Sequence, residues 1–218
     1  MNKADVLLGL QWGDEGKGKI VDFLTPDYDS IARFQGGPNA GHSLEFNNVK
    51  QVMHTIPSGI FHPDKFNIIG NGVVIEPVQF RQESGEAQEL GADVKKQVII
   101  SDKATLILPT HRLLDAAYEK KRYYNRKTTL IQKNQKLIKK KKKKNKGKKK
   151  IGSTLKGIGP AYTDKIARCA IRVGDILTED FKEKYDKVIE HHKKLLNAYD
   201  GDEYTKEMET EWFDALGF

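Results

Sequence analysis

The sequence predicts an α/β fold in which a mostly parallel sheet is flanked by helices. Residues 67–75 and 98–101 are short apolar runs rich in valine and isoleucine, a composition typical of strands buried in a parallel sheet. Segments of helical character alternate with such runs, and this alternation is typical of α/β proteins. A glycine-rich segment follows the first apolar run, at the place where a strand would lead into a helix.

Residues 6–10 are predicted to form the first strand, and the segment after them has the spacing of a phosphate-binding loop. Residues 13–19 read GDEGKGK and match the G-x-x-x-x-G-K part of that loop. Glycine lets backbone N–H groups approach phosphate oxygens, and the following helix N-terminus adds a partial positive charge. Lys17 and Lys19 add full charges. The alternative is an ordinary solvated turn between a strand and a helix.

One position of this loop departs from the standard pattern. Ile20 stands where the loop of nucleotide-binding proteins has the serine or threonine that holds Mg²⁺. A magnesium ion would therefore need other ligands, and Asp14 and Glu15 are the candidates. Because a carboxylate inside the loop would repel a phosphate, Asp14 is expected to bind the metal or to act as a base on a second substrate.

Length and composition limit the class of protein. The 218 residues suffice for one large domain or two small ones. Cys169 is the single cysteine, so no internal disulfide can form. The apolar run near the N-terminus is too short for a signal peptide, and no stretch approaches the roughly 20 apolar residues of a membrane span. We therefore expect a cytoplasmic protein with no membrane partner.

The basic character of the chain is concentrated in one segment. The formal net charge is +8, with 38 lysine and arginine residues against 30 acidic ones. Residues 120–150 contain 17 of the basic residues and no acidic residue, so the remainder carries 21 basic and 30 acidic residues. Self-repulsion and few apolar residues predict that this lysine-rich insertion is disordered. Binding of nucleic acid or another polyanion by the insertion is the alternative, and we do not favour it.

A second glycine-rich turn follows a predicted strand at residues 31–34. Residues 36–43 read GGPNAGHS, and the glycines would let the backbone approach a ligand closely. Asn39 offers a two-sided amide, and His42 offers a ring that titrates near neutrality. Beside Asp14, His42 becomes a candidate for acid–base chemistry, although a histidine in a loop is more often structural.

The rest of the chain continues the alternation. Glu76 and Pro77 are predicted to begin a helix that ends at Gly91, and Thr110 opens another helix. Residues 152–162 form a third glycine-rich cluster with small hydroxyl side chains, followed by Arg168, and this combination suits phosphate or ribose contacts. The alternative is an ordinary turn and a helix with a charged face. From residue 179 two helices with apolar stripes are expected, and we expect these stripes to lack a cover within the chain.

Four motifs in the same order resemble those of the adenylosuccinate synthetase family. They are QWGDEGKGKIVD at residues 11–22, GGPNAGHS at 36–43, GNGVVI at 70–75 and GSTLKGIGPAYTDK at 152–165. The family makes adenylosuccinate from IMP and L-aspartate with hydrolysis of GTP in purine nucleotide synthesis. The resemblance covers the chain outside the lysine-rich insertion and about the N-terminal half of the family's length. It therefore implies an α/β, P-loop-like GTP-binding core that is incomplete at its C-terminus.

The resemblance implies roles for residues of the first two motifs. Asp14 corresponds to the catalytic base, which removes the purine N1 proton, and His42 to the general acid. Mg²⁺ would be held by Asp14 and by the backbone carbonyl of Gly41. GTP would contact the phosphate-binding loop and the turn around His42, at Gly13, Asp14, Glu15, Gly16, Lys17, Gly18, Lys19, Gly41, His42 and Ser43.

IMP would lie against the same two loops and against the third motif. Thr154 matches a contact of the IMP phosphate, and Arg168 matches an arginine given to the neighbouring subunit, which implies a homodimer. The IMP contacts implied are Asp14, Glu15, Gly16, Lys17, Asn39, Ala40, Gly41, His42, Thr154 and Arg168.

The resemblance also sets the expected organisation of the chain. We expect a nucleotide- and IMP-binding core at residues 1–119, the insertion at 120–150, and the IMP-phosphate loop with a helical segment at 151–218. A rival hypothesis is an inactive fragment that keeps only nucleotide binding through the phosphate loop. The lysine-rich insertion offers the further alternative of polyanion binding.

Overall fold

The predicted α/β fold with a parallel sheet is confirmed. The computed structural model of the chain describes residues 3–11, 15–39, 41–46, 49–135 and 152–217. Within them lie six strands: β1 Ser30–Gly36, β2 His42–Phe46, β3 Val49–Met53, β4 Phe66–Ile75, β5 Val98–Ile100 and β6 Thr105–Leu106.

Strand β4 is the centre of the sheet. β1 pairs with it in parallel, from Ser30 opposite Phe66 to Gly36 opposite Val73. β5 and β6 also pair in parallel with β4, at its beginning and at its end. β2 and β3 form a separate antiparallel hairpin that carries His42 at its first position. The sheet thus directs the end of β1 and the end of β4 to the same edge.

Helices cover the sheet and connect its strands. The helices of the described residues are α1 Lys17–Leu24, α2 Pro77–Glu89, α3 Val94–Gln97, α4 Pro109–Gln135, α5 Ile158–Ala167, α6 Phe181–Ala198 and α7 Lys206–Leu216. The limits predicted for α2 are confirmed, because the Glu76 carboxylate accepts from the backbone N–H groups of Val78 and Gln79, and Gly91 has a φ of 93° after the last turn.

The predicted first strand is not formed. Residues 3–10 have no regular secondary structure, and the side chains of Val6 and Leu10 are 72% and 91% exposed. A strand needs a partner edge for its backbone groups, and within the described residues β1 pairs with β4 alone. The segment is instead tied down by a hydrogen bond from the Tyr28 hydroxyl to the Asp5 carboxylate.

Helix α4 crosses residue 120, where the sequence predicts that the lysine-rich insertion begins. Residues 120–135 continue the helix and so differ from the predicted disorder. Lysine and arginine have high helix propensity, and a helix whose first turns are packed elongates easily from them. Residues 136–151 lie outside the described part of the chain, and the domain limits at 120 and 150 stay predictions.

The expectation that the C-terminal helices lack a cover is wrong. Tyr185, Val188 and Ile189 of α6 and Trp212 of α7 are buried in the same core as β4 and β6. The Trp212 indole N–H donates to the carbonyl of Ile107 at 2.9 Å. The apolar stripes therefore pack against the sheet of this chain itself.

None of the helices in the described ranges is long and apolar enough to cross a membrane.

Candidate functional site

The described part of the phosphate-binding loop leads directly into helix α1. Gly16 precedes the helix with a φ of 76°, a left-handed conformation that favours glycine. Lys17 forms an ion pair with Glu15 at 2.6 Å, and Glu15 also accepts from the backbone N–H of Gln11 at 3.0 Å. Lys19 lies two residues further into the helix. The other two predicted residues of this loop, Gly13 and Asp14, lie outside the described residues.

His42 lies against the first turn of α1. If Gly18 carried a Cβ, that atom would lie 2.6 Å from His42 Cβ and 3.0 Å from Cγ, which is closer than real Cβ contacts. The structure therefore brings together the first and the second glycine-rich motif, at Gly18 and His42, which are 24 residues apart in sequence. This proximity requires a residue without a side chain at position 18.

The environment of His42 keeps its ring neutral. The Nε2 atom is buried and makes no hydrogen bond within the described residues. Burial lowers the pKa of His42 from 6.5 to about 4, and the charge of Arg33 and the ring of His54 act in the same direction. An unpaired ring nitrogen beside a phosphate-binding loop is available to an incoming ligand.

Arg33 of β1 fixes the backbone around His42. Its Nη1 donates to the carbonyls of His54 and Thr55, the latter at 3.2 Å, and its Nη2 donates to the carbonyl of Gly37 at 2.9 Å. Burial lowers the pKa of Arg33, and the nearby Glu83 carboxylate acts against this. One guanidinium thus links the glycine-rich turn to the segment after β3.

Glu83 of α2 holds the same segment from the other side. Its Oε1 accepts from the backbone N–H groups of His54 at 2.8 Å and of Thr55 and Ile56 at 2.9 Å. Burial raises the pKa of Glu83, and these three hydrogen bonds and Arg33 lower it again. The roles of Arg33 and Glu83 could not be predicted from the sequence, because each residue lies in an element whose pattern indicates only a strand or a helix.

The second glycine-rich turn is packed closely where the sequence predicts ligand contacts. A Cβ on Gly41 would lie 2.5 Å from Val52 Cγ1 and 3.1 Å from Cε1 of the His54 ring. Asn39 is exposed, and Ser43 is half-buried in the β2–β3 hairpin opposite Val52. Ala40, the remaining predicted residue of this turn, lies outside the described residues.

Hydrogen bonds join the third glycine-rich cluster to the second glycine-rich turn. The Tyr162 hydroxyl of α5 accepts from the Gly36 N–H at 2.9 Å and donates to the Gly72 carbonyl at 2.7 Å. Lys156 Nζ donates to the Pro38 carbonyl at 2.7 Å. Lys156 and Tyr162 lie within the third glycine-rich cluster, which was predicted from the sequence as a ligand-binding segment. The spacing of these two residues did not predict their contacts with the second turn.

Thr154 precedes α5 and Arg168 follows it, so the two residues belong to opposite ends of the helix. Thr154 is exposed on the loop before the helix, and Arg168 is exposed at its C-terminal cap with a φ of 64°. The ten residues of α5 span about 15 Å at 1.5 Å per residue. The helix therefore separates Arg168 from the end at which the Thr154 loop joins α5.

A cavity of about 570 Å³ is lined mainly by strand β3 and helix α2, together with Pro38 of the second and Lys156 of the third glycine-rich segment. His54 and Arg112 also line it. Its size lies within the range of small-molecule sites. Gln79 of α2 also lines the cavity, and neither Gln79 nor Arg112 was predicted from the sequence as a site residue.

The fold and the site define an α/β protein in which a phosphate-type glycine loop lies against a histidine-bearing hairpin. A cavity is lined by the same hairpin and by helix α2. Comparison with known proteins identifies the class more closely. The chain belongs to the adenylosuccinate synthetase family, whose family model matches residues 6–130 and 123–217. The predicted family is therefore confirmed.

Relatives with the same name match almost the whole chain. Adenylosuccinate synthetase of Flavobacterium johnsoniae is 56% identical over 215 residues, which are 98% of this chain and 45% of the relative. The enzyme of Parabacteroides distasonis is 52% identical over 216 residues, again 45% of its length. The chain thus spans a little under half the length of the curated relatives it matches.

A solved structure has a similar fold. The fully ligated adenylosuccinate synthetase from Plasmodium falciparum matches with a TM-score of 0.74 and 32% identity, over 96% of this chain and 43% of that protein. The succinoaminodeoxyadenylate synthetase of cyanophage S-2L is 24% identical with a TM-score of 0.52, and this likeness concerns the fold alone.

Proposed function

We propose that this chain supplies the GTP-binding loop and the IMP-phosphate loop of a GTP-dependent ligase that joins IMP and L-aspartate into adenylosuccinate. The observation that carries this proposal is the contact between Gly18 and His42, since it assembles a phosphate-type loop with an acid–base residue. The names of the relatives support the reaction. We further propose that full activity requires the part of the relatives' length that this chain does not span.

GTP would lie against the loop at residues 13–19. The loop amides and Lys19 would stabilise the negative charge of the phosphates, and this charge stabilisation is the main contribution of a protein to phosphoryl transfer. Lys17 would exchange its ion pair with Glu15 for the phosphate. Ser43 and Gly41 would contribute contacts from the β2–β3 side.

The proposed chemistry uses two residues of this chain. Asp14 would remove the N1 proton of IMP, so that O6 attacks the γ-phosphate of GTP, the bond from the γ-phosphorus to the bridging oxygen breaks, and GDP leaves as 6-phosphoryl-IMP forms. His42 would act as the general acid that assists the departure of GDP, and the amine of L-aspartate would then displace phosphate from C6. The ring is neutral in the free chain, and a triphosphate beside it would favour the protonated form, so His42 would gain its proton when nucleotide binds.

IMP would lie against the phosphate-binding loop and the second glycine-rich turn, with its phosphate at Thr154. Asn39 and Gly41 would contact it from the second motif, and Glu15, Gly16 and Lys17 from the first. Because α5 separates Arg168 from Thr154, we propose that Arg168 acts in the IMP site of a second copy, in a homodimer.

Magnesium fits the proposed donor set. The Asp14 carboxylate and the Gly41 carbonyl are hard oxygen ligands, the kind that Mg²⁺ prefers, and Ile20 offers none. When bound, the ion would neutralise charge on the phosphates. A cytoplasmic location stays a prediction.

The experiment is a calorimetric titration of the 218-residue chain with IMP, and with GTP in the presence of Mg²⁺. We expect Lys19→Ala to weaken GTP binding and Thr154→Ala to weaken IMP binding, each about tenfold. Lys103→Ala, which removes an exposed lysine on a turn after β5, is the matched control and should change neither affinity. Binding that survives both substitutions and disappears at high salt would contradict the proposal, because it would indicate polyanion binding by the lysine-rich insertion.

A further inference from the structure

A buried chain of hydrogen bonds links the helices α4, α5 and α6. Asp164 Oδ2 lies 2.9 Å from Nε2 of His111 and 2.9 Å from Nε2 of His192. The Thr110 hydroxyl lies 2.7 Å from the other ring nitrogen of His192, and the Leu108 N–H donates to Nδ1 of His111 at 2.9 Å. Both histidine side chains are fully buried, and Asp164 is 7% exposed. The proposed reaction uses none of these groups.

The hydrogen bonds of His111 determine which of its two ring nitrogens carries the proton. Because Nδ1 accepts from the Leu108 N–H, it carries no proton, and Nε2 must be the protonated nitrogen that donates to Asp164. A metal ion between His111, Asp164 and His192 would need a free electron pair on this same Nε2. The cluster is therefore a set of hydrogen bonds around one carboxylate, and the donor arrangement does not suit a metal.

The cluster touches the loop that precedes α5. A Cβ on Gly157 would lie 2.8 Å from the His111 carbonyl carbon and 2.9 Å from His111 Cβ. The Gly157 N–H donates to Asp115 Oδ2, one turn further along α4, at 3.0 Å. Gly157 has a φ of 75°, so both its conformation and its contacts exclude a side chain. The end of the loop at residues 152–157 thus rests on the first turns of α4.

We propose that His111 is a positioning residue for the loop at residues 152–157. It holds Gly157 by direct contact and holds α5, which begins at the next residue, through its hydrogen bond to Asp164. Thr154 lies on this loop, so the inference rests on the proposed role of Thr154 in binding the IMP phosphate. His111 itself touches no substrate in this scheme.

Two substitutions separate the two hydrogen bonds of His111. In His111→Asn the amide oxygen takes the place of Nδ1 and still accepts from Leu108, but the bond to Asp164 is lost. In His111→Gln the amide nitrogen reaches the place of Nε2 and keeps the bond to Asp164. The proposal predicts that the Asn variant loosens the loop and that the Gln variant retains it. His191→Asn, at an exposed histidine of α6, is the matched control.

Hydrogen exchange of the 218-residue chain measures the loop directly. We expect the Gly157 amide and its neighbours to exchange about tenfold faster in His111→Asn, with exchange in α1 unchanged and the control like the unsubstituted chain. Equal exchange in the Asn variant and the unsubstituted chain would overturn the proposal. If His111→Asn does not fold, Asp164→Asn tests the same hydrogen bond, because it keeps an acceptor for His111 but removes the negative charge. Faster exchange of the Gly157 amide in this variant supports the proposal, and unchanged exchange overturns it.

Ligand binding shows whether His111 acts through the loop. We expect His111→Asn to weaken IMP binding about tenfold and to leave GTP binding unchanged, and the double variant with Thr154→Ala to be no weaker than Thr154→Ala alone. Additive effects would overturn the positioning role. If Thr154→Ala leaves IMP binding unchanged, or the unsubstituted chain binds no IMP, the proposed function fails instead, and the Gly157 exchange alone then decides the role of His111.

Discussion

Gly18 lies directly against His42, with room for no side chain between helix α1 and the start of β2. A Cβ on Gly18 would meet His42 Cβ at 2.6 Å. Gly18 lies in the first turn of α1 and has no positive φ, so the contact, and not the backbone conformation, requires glycine there. The spacing between the phosphate-type loop and His42 is thereby fixed.

Gly18→Ala should push His42 away from the loop. Although alanine favours helix, the overlap of about an ångström must be relieved by movement of the hairpin, which we expect to cost about 1–3 kcal/mol of unfolding free energy. GTP affinity should fall about tenfold with it. Denaturant unfolding and calorimetry measure the two effects.

The control for Gly18→Ala is Gly85→Ala. Gly85 lies inside α2, and nothing would lie within 4 Å of a new Cβ there. Alanine should therefore stabilise the chain by about 0.5–1 kcal/mol. A Gly18→Ala variant that gains the same stability and keeps its GTP affinity would show that His42 does not rest on α1.

The ring of His42 should be neutral in the free chain at neutral pH. Burial and the positive charge of Arg33 lower its pKa to about 4, so NMR titration of the ring should show one step near pH 4. Since the unfolded chain takes up this proton near pH 6.5, unfolding becomes easier as the pH falls from 6.5 towards 4. Saturation with GTP should raise the midpoint. A midpoint near 6.5 in the free chain would contradict the burial of this ring.

Glu83→Gln should destabilise the segment after β3. In the unsubstituted chain the Thr55 N–H donates to both carboxylate oxygens of Glu83. In the variant the glutamine amide oxygen can still accept a hydrogen bond, but the NH₂ group of the glutamine would face the Thr55 N–H. We expect a loss of about 2 kcal/mol in the free energy of unfolding. Glu86→Gln, one turn further along α2, should stay within about 0.5 kcal/mol. Equal changes in unfolding free energy for the two substitutions would show that the charge of the buried Glu83 carboxylate does not stabilise the segment after β3.

Asp164 should make the chain acid-sensitive. Burial tends to raise the pKa of Asp164, but the hydrogen bonds from His111 and His192 outweigh it and hold the pKa well below 3.8. The unfolded chain therefore binds a proton that the folded chain does not, and this share of the stability, present above pH 3.8, is lost as the pH falls through the folded pKa.

Asp164→Asn measures the part of the stability that depends on the charged Asp164 carboxylate. The difference in unfolding free energy between the unsubstituted chain and the variant should be largest above pH 5 and should shrink below pH 3.8. Urea unfolding at a series of pH values measures it. A difference that does not change with pH would contradict the assignment of a charged Asp164.

The sequence predicted those parts of the fold that depend on local pattern. The strand at β4 and the helix α2 were both predicted, because buried β-branched residues and the Glu76-Pro77 start are local signals. The prediction of the first strand was wrong for a non-local reason, since an apolar run becomes a strand only where its backbone groups pair with another strand, and the local sequence does not show such pairing. The apolar stripe of α6 likewise shows which face is buried but not which part of the protein buries it.

The candidate site also contains residues that the sequence predicts and residues that it does not. The glycine loops and His42 were predicted from sequence because phosphate binding needs particular residues at fixed spacing. Arg33 and His111 could not be predicted, because their contacts join elements that are distant in sequence and no spacing rule links them. The predicted roles of Asp14, Thr154 and Arg168 stay predictions.

The most direct measurement is of adenylosuccinate formation by a completed chain. Residues 1–218 would be joined to the remaining part of the Flavobacterium johnsoniae relative, of which this chain matches 45%. We predict product formation that requires IMP, L-aspartate, GTP and Mg²⁺, and its loss in Asp14→Asn with GTP binding retained. Absence of product from a folded chimaera that binds GTP and IMP, or substantial turnover in Asp14→Asn, would contradict the account.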